Sequence, residues 1–397
     1  MSGVLPMVIA AKEAGFSRVF VPSQNAAEGA IVEGIELFGI RHINDLVSFL
    51  SGKLELTPEK STRPVSAFSL PQEDFADVKG QTSARRAMEI AAAGSHNILL
   101  IGPPGSGKSM LAKRLPSILP EMTFEESIET TKLYSVAGLL SPDTPLITRR
   151  PFRAPHHTIT AAGLSGGGSG VPKPGELSLA HNGVLFLDEL PEFTRQSLEV
   201  LRQPMENREI TISRANGSFT YPCSIMVVAA MNPCPCGYFG HPTRPCICKN
   251  SQVSRYLSKV SGPLLDRLDL HVDAMPVEYT QISSAAKAES SADIRARVNR
   301  AREIQNNRFR GITGGCNARI SASDLHRLCP MTEAAGQLLK TAFESMGLSA
   351  RAYDRVVKVA RTIADLDGCE VIGSEHIAEA VQYRSLDRKY FSEKGGR

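Results

Sequence analysis

The chain has 397 residues, enough for two or three domains, and its 42% hydrophobic and 22% charged residues are the balance of an ordinary globular protein. A formal net charge of +4 is too mild to demand a nucleic-acid partner, and no apolar run is long enough to cross a bilayer. Eight cysteines, and an apolar start (residues 5–11) with no basic residue ahead of it, point to the reducing cytoplasm, where thiols bind metal or sit in cores.

Residues 1–57 read as a small α/β piece, with a helix ending at Gly15, a buried strand over 18–21, and helices over 25–31 and 43–50. So short a piece cannot close a core alone, so apolar faces of its first helix and strand are expected to lack partners. Residues 58–76, with Pro58, Pro64 and Pro71, read as a linker. Residues 77–276 read as an α/β core and 277–397 as a helical linker and lid.

The core opens with an Ala-rich helix over 81–93 and the buried strand Ile98–Ile101. Gly102, Pro103, Pro104, Gly105, Ser106, Gly107, Lys108 and Ser109 follow, and then a helix over 108–118. This is G-x-x-x-x-G-K-[ST] between strand and helix. Its glycines let backbone amides wrap a phosphate, Lys108 reaches the β/γ-phosphates, and the Ser109 hydroxyl ligates Mg²⁺. A second apolar strand over 184–187 delivers Asp188 and Glu189 at its C-terminal end, where open α/β sheets bind ligands. There Asp188 would hold Mg²⁺ and Glu189 would polarise the attacking water. A third strand over 224–231 ends at Asn232, able to orient that water or touch the γ-phosphate. Further on, Arg267 lies in Leu264-Leu265-Asp266-Arg267-Leu268-Asp269, where taken by itself it reads as paired with Asp266 or Asp269.

Outside that chemistry, residues 209–221 alternate as a hairpin with an Asn216-Gly217 turn, and Arg214 near its tip is either solvated or a phosphate-backbone contact. Arg149 to Thr158 is basic and holds His156 and His157, so Arg153 is a second candidate DNA contact, with a plain structural insert as the alternative. The Gly-rich stretch 163–175 reads as mobile and carries Lys173, a third candidate. Cys234, Cys236, Cys246 and Cys248 form two C-x-C pairs that can surround one Zn²⁺; His241 is a possible substitute ligand, and reduced thiols or redox pairing are the alternatives. A basic helix over 292–309 carries arginines at 295, 297, 300, 302 and 308, read as its solvated face.

Several of these stretches occur together: residues 149–158, the Gly-rich 163–175, Pro174 to Gly183, and Met231-Asn232-Pro233-Cys234-Pro235-Cys236-Gly237. In that combination the chain from residue 3 onward resembles the magnesium-chelatase-type AAA+ ATPases, of the ComM (YifB-like) group. The resemblance implies a P-loop core with a parallel sheet and a C-terminal helical lid. It also implies Asn232 as sensor 1, Arg267 as a finger into the neighbouring site, and Arg351 as sensor 2 reaching the γ-phosphate from the lid, with Arg355 as the alternative. Residues 10–16, 19–22 and 25–28 are similar to the second half of a Lon-protease-type domain. The catalytic serine of that family lies in a half missing here, and its lysine falls near Met7, so the resemblance implies a non-catalytic fragment over 1–57. The implied activity is ATP hydrolysis by a homo-oligomeric ring, a hexamer, driving branch migration of DNA in natural transformation, with ATP, Mg²⁺ and a structural Zn²⁺. A chelatase motor subunit and a nucleotide-binding product unable to assemble are the rivals.

Overall fold

The computed structural model describes residues 1–60, 73–141, 143–168, 172–214, 217–277, 288–310 and 315–391. Most of the expected linker (61–72), part of the Gly-rich stretch (169–171), the turn residue Asn216 and the start of the expected helical linker (278–287) lie outside the described residues.

Near the N-terminus, β1 (Arg18–Pro22) pairs in parallel with β2 (Glu36–Ile40), a strand that sequence reading missed. The first strands of the core are β3 (Ile98–Ile101) and β4 (Phe152–Arg153). Two short strands, β5 (Gly166–Gly167) and β6 (Lys173–Pro174), then pair antiparallel. After β7 (Val184–Leu187) comes the antiparallel hairpin of β8 (Glu209–Arg214) and β9 (Gly217–Pro222), followed by β10 (Met226–Met231) and β11 (Leu270–Asp273). Five of these form one sheet in the order β11-β3-β10-β7-β4, every pair parallel. The strand ending in Asn232 thus lies between the two motif strands.

Side chains alternate between two cores, as the period of a strand dictates. Ile98 and Leu100, Val184 and Phe186, and Val228 and Ala230 face the helices Thr82–Gly94 and Lys108–Ile118. Leu99 and Ile101, Leu185 and Leu187, and Val227 and Ala229 face Leu177, Leu198, Val253 and Leu264 on the other side. Burial on both faces explains why these strands read as unbroken apolar runs.

Two expectations are corrected. The N-terminal helix Val4–Glu13 buries Val4, Leu5 and Val8 and packs against the helix Phe124–Ala137 of the core. The Gly3 amide donates to Ser135 O at 3.0 Å, and the Leu5 amide to buried Glu28 at 2.8 Å. The face carrying Val4, Leu5 and Val8 therefore has a partner, while Met7 and Phe16, and Ile43, Val47 and Leu50 of the helix Ile43–Leu50, are exposed among the described residues. The second correction concerns the helix Ser291–Arg308, whose arginines are not simply a solvated face. Arg297 pairs with Glu89 and Glu289, Arg302 donates to Ser95 Oγ at 2.6 Å and Arg308 reaches Asp365 at 2.6 Å, because this helix packs against both Thr82–Gly94 and Ala350–Leu366.

Candidate functional site: a phosphate loop at the strand ends

Gly105 and Gly107 have φ of 75° and 84°, a region that favours glycine, and a Cβ on Gly102 would sit 2.2 Å from Ala274 O. The loop can therefore hug an anion without side chains in the way. The Lys108–Ile118 helix follows directly and aims its N-terminal amides at the same place. Lys108 is only 8% exposed, and its ammonium donates to Gly102 O at 2.8 Å, Pro103 O at 2.9 Å and Asn232 Oδ1 at 3.2 Å. Burial pushes its pKa down to about 8, against the opposing pull of Asp188. Ser109 Oγ donates to Asp188 Oδ2 at 2.7 Å. A hydroxyl beside a carboxylate is the oxygen donor set that suits Mg²⁺, and the buried Ser106 Oγ has no partner among the described residues. The residues fit a magnesium-nucleotide group.

Glu189 stands in the left-handed region (φ 52°), which turns its half-exposed carboxylate out of the strand line. His157 Nδ1 lies 3.2 Å from it, and the His156 ring packs against that of His157, tilted by 35° with centroids 4.1 Å apart. Sequence reading missed this role for His157; the signal was the short β4, which pairs with β7 and so brings the residues after it to the carboxylates. It also missed Gln81, whose Nε2 donates to Ser106 O at 2.8 Å and braces the loop. A cleft of about 510 Å³ opens beside these groups, lined by Glu189, Asn232, Arg255, Tyr256 and Lys259.

Arg267 and the lid arginines are at the other end of the sheet. The Asp269 and Leu270 amides donate to Asn97 O, the residue before β3, at 2.8 and 3.1 Å, whereas the phosphate loop follows the last residue of β3. Four strand residues separate the two ends, about 13 Å. Arg267 is 8% exposed, donates to Pro263 O at 2.6 Å, and is paired with Glu206 rather than with Asp266 or Asp269. Asp269 is taken by Arg355. Burial alone would raise its pKa, and Arg355 and His96 hold it well below the usual carboxylate range. Arg355 also donates to Arg267 O at 3.3 Å, so the helix Ala350–Leu366 begins behind the sheet instead of over the phosphate loop. Arg351, one turn earlier, is exposed and makes no hydrogen bond or ion pair among the described residues.

The candidate DNA contacts separate. Arg153 forms two 2.6 Å bonds to Glu176, so its charge is spent inside the chain. Lys173 is exposed on β6, and Arg214 is exposed at the end of β8. Tyr221 of β9 donates to Pro172 O at 2.5 Å, which joins the hairpin to the β6 strand.

All four cysteines of the C-x-C pairs converge, their sulfurs lying within 4.8 Å of one another. Cys234 is 3.4 Å from Cys236 and 3.6 Å from Cys246, and all are free thiols. His241 is not among them; its Nδ1 accepts from the Arg244 amide at 3.1 Å.

Comparison with known proteins agrees with this geometry. The family described as magnesium chelatase, subunit ChlI, matches residues 74–282, and its C-terminal counterpart matches 288–384. The chain belongs to the magnesium-chelatase-type AAA+ family. It is 43% identical to competence protein ComM of Haemophilus influenzae over 395 residues, covering 97% of this chain and 75% of the relative. The uncharacterized protein YifB of Escherichia coli is 41% identical over 373 residues, 94% of this chain and 72% of YifB. An uncharacterized protein of Mycobacterium tuberculosis is 46% identical over 384 residues, 96% of this chain and 75% of that protein. The chain is therefore a ComM/YifB-like member of this family, which implies a nucleotide and Mg²⁺ at the site described. Among the described residues no helix is long and apolar enough to cross a membrane.

Proposed function

We propose that this chain is an ATP-hydrolysing ring motor, a hexamer, that moves branched DNA during recombination of incoming strands. The observation that carries the reading is the convergence of Lys108, Ser109, Asp188 and Asn232 at the strand ends, with Arg267 at the far end of the same sheet. Lys108 neutralises the β/γ-phosphates, and Ser109 and Asp188 would hold Mg²⁺, which supplies further charge neutralisation. Glu189 takes the water's proton or aligns the water, and Asn232 orients it. Arg267 cannot serve its own phosphate loop across the sheet, so it completes a neighbour's site, and the start of the lid helix, with Arg351, does the same. Arg214 and Lys173 are the cations left to meet DNA phosphates.

In this reading residues 1–57 are a non-catalytic Lon-like fragment, 58–76 a linker, 77–276 the motor core and 277–397 the helical linker and lid. The four thiols hold a structural zinc ion. The name of the Haemophilus relative, a competence protein, supports the DNA role. The family description supports a second reading, a chelatase motor working through partner subunits. ATPase rates with and without forked DNA separate the two. Stimulation by the fork is expected, and an unchanged rate would favour the chelatase-type motor. A chain that stays monomeric with ATP and does not turn over would be a nucleotide-binding product only.

A further inference from the structure

The cysteine loop and the phosphate loop touch. A Cβ on Gly237 would sit 2.3 Å from Pro104 Cδ, and Gly237 has a φ of 84°, so the position admits only glycine without strain. On the same side, Asn232 accepts from Lys108 and lies two residues before Cys234, which is buried among Leu187, Met231 and Tyr390. Residues 232–249 contain no helix or strand. Such a span costs much conformational entropy to hold in one shape, and turns alone seldom supply it. What draws its two halves together is the sulfur cluster, with Cys234 and Cys236 from one half and Cys246 and Cys248 from the other. The sulfurs of Cys234, Cys236 and Cys246 stand 3.4 to 3.6 Å apart, near the roughly 3.8 Å edge of a tetrahedron with 2.3 Å metal–sulfur bonds.

We propose that Cys234, Cys236, Cys246 and Cys248 bind one zinc ion that clamps Gly237 on Pro104 and Asn232 on Lys108, so that nucleotide affinity depends on the metal. The proposal rests on the nucleotide reading of the phosphate loop. On binding, the four thiols release their protons and coordinate as thiolates, with no change of oxidation state. Arg244 and Lys249 in the same loop favour the negative charge of the resulting centre. The β3, β7 and β10 strands have their own cores on both faces, so the sheet persists without the metal while the loop loosens.

The test uses the full chain purified without chelator. Elemental analysis is expected to find about one zinc per chain. Removing it with a thiol-reactive mercurial plus chelator should weaken binding of a fluorescent ADP, read by anisotropy, on the order of tenfold, the loss expected for one charge-assisted hydrogen bond. Far-UV circular dichroism should change little, and once excess dithiothreitol has taken the mercurial off the thiols, added zinc should restore affinity. Cys246→Ser should bind ADP weakly with or without zinc. Gly237→Ala should retain zinc and still bind ADP weakly, which separates the clamp from the metal. Absence of zinc overturns the proposal, as does an ADP affinity unchanged by its removal. If the zinc-loaded chain binds no ADP and Lys108→Ala behaves identically, the nucleotide reading itself has failed, and the zinc content still reports on the thiol site.

Discussion

At the scale of single residues, Lys108 carries the most specific expectation. Its ammonium is buried against carbonyl oxygens, and burial lowers its pKa to about 8 in the free protein. Phosphate oxygens beside it favour the charged form and raise that pKa, so nucleotide binding takes up a proton wherever the free lysine is neutral. Uptake is therefore expected above about pH 8 and absent near pH 6.5, and affinity should fall as pH rises through that range. Titration calorimetry in two buffers of different ionisation enthalpy measures it. Lys108→Met should bind more weakly and show no uptake; equal uptake in the variant would assign the proton to another group. Glu189 is expected to behave differently, since in the proposed reading it would act on water rather than on phosphate. Glu189→Gln should keep ATP affinity and lose at least about 100-fold in turnover, the usual contribution of a general base. A variant that hydrolyses at the wild-type rate would remove Glu189 from that role, leaving only its contact with His157.

At the scale of elements, the hairpin and its neighbour divide the cations. Arg214 and Lys173 are exposed, whereas Arg153 is locked to Glu176. Each exposed cation that meets a DNA phosphate adds to the dependence of affinity on salt, by a slope of nearly one. Arg214→Ala and Lys173→Ala should each lower the slope of log K against log salt by about one, and Arg153→Ala should leave it unchanged while destabilising the chain. Fluorescence anisotropy with a labelled fork over a salt series reads this directly, and an Arg153→Ala slope reduced like the others would mean that its ion pair with Glu176 opens on DNA. The same elements show what a sequence can disclose. The strands β3, β7 and β10 were legible because burial on both faces leaves apolar runs, and Lys108, Asp188 and Asn232 sit at their ends by local chain geometry. The thiol pairs were legible because spacing alone limits where four sulfurs can go. What was hidden is non-local. β2 carries only a short apolar run, and its pairing with β1 is not written in its spacing. Glu206 as the partner of Arg267 is 61 residues away, and Glu176 as the partner of Arg153 is 23 away. The placement of the lid depends on Asp269 meeting Arg355 across 86 residues, which no helical periodicity encodes.

At the scale of the whole molecule, the question is why a nearly buried arginine with a carboxylate partner should act on a nucleotide at all. Arg267 is held by Glu206 and Pro263 O at the sheet end away from its own phosphate loop. In the proposed ring, a guanidinium there would act on a neighbour's phosphates, by exchanging Glu206 for them on assembly. Arg267→Ala leaves all contacts of the chain's own loop intact, so ATP affinity should survive. Hydrolysis should fall steeply, since arginine fingers in other NTPases contribute on the order of 10³-fold or more. Mixing supplies the decisive comparison. A Lys108→Ala subunit has a disabled loop and an intact Arg267, while an Arg267→Ala subunit has the reverse. Each is nearly inactive alone, but a mixed ring contains interfaces that pair an intact loop with an intact arginine, so the mixture should regain part of the wild-type rate. An Arg267 that merely stabilises the fold through Glu206 predicts a lowered melting temperature, impaired ATP binding and no recovery on mixing. One that served its own chain's loop predicts lost turnover, again with no recovery. Recovery in proportion to the mixed interfaces, with ATP affinity unchanged in Arg267→Ala alone, fits only a site completed between subunits.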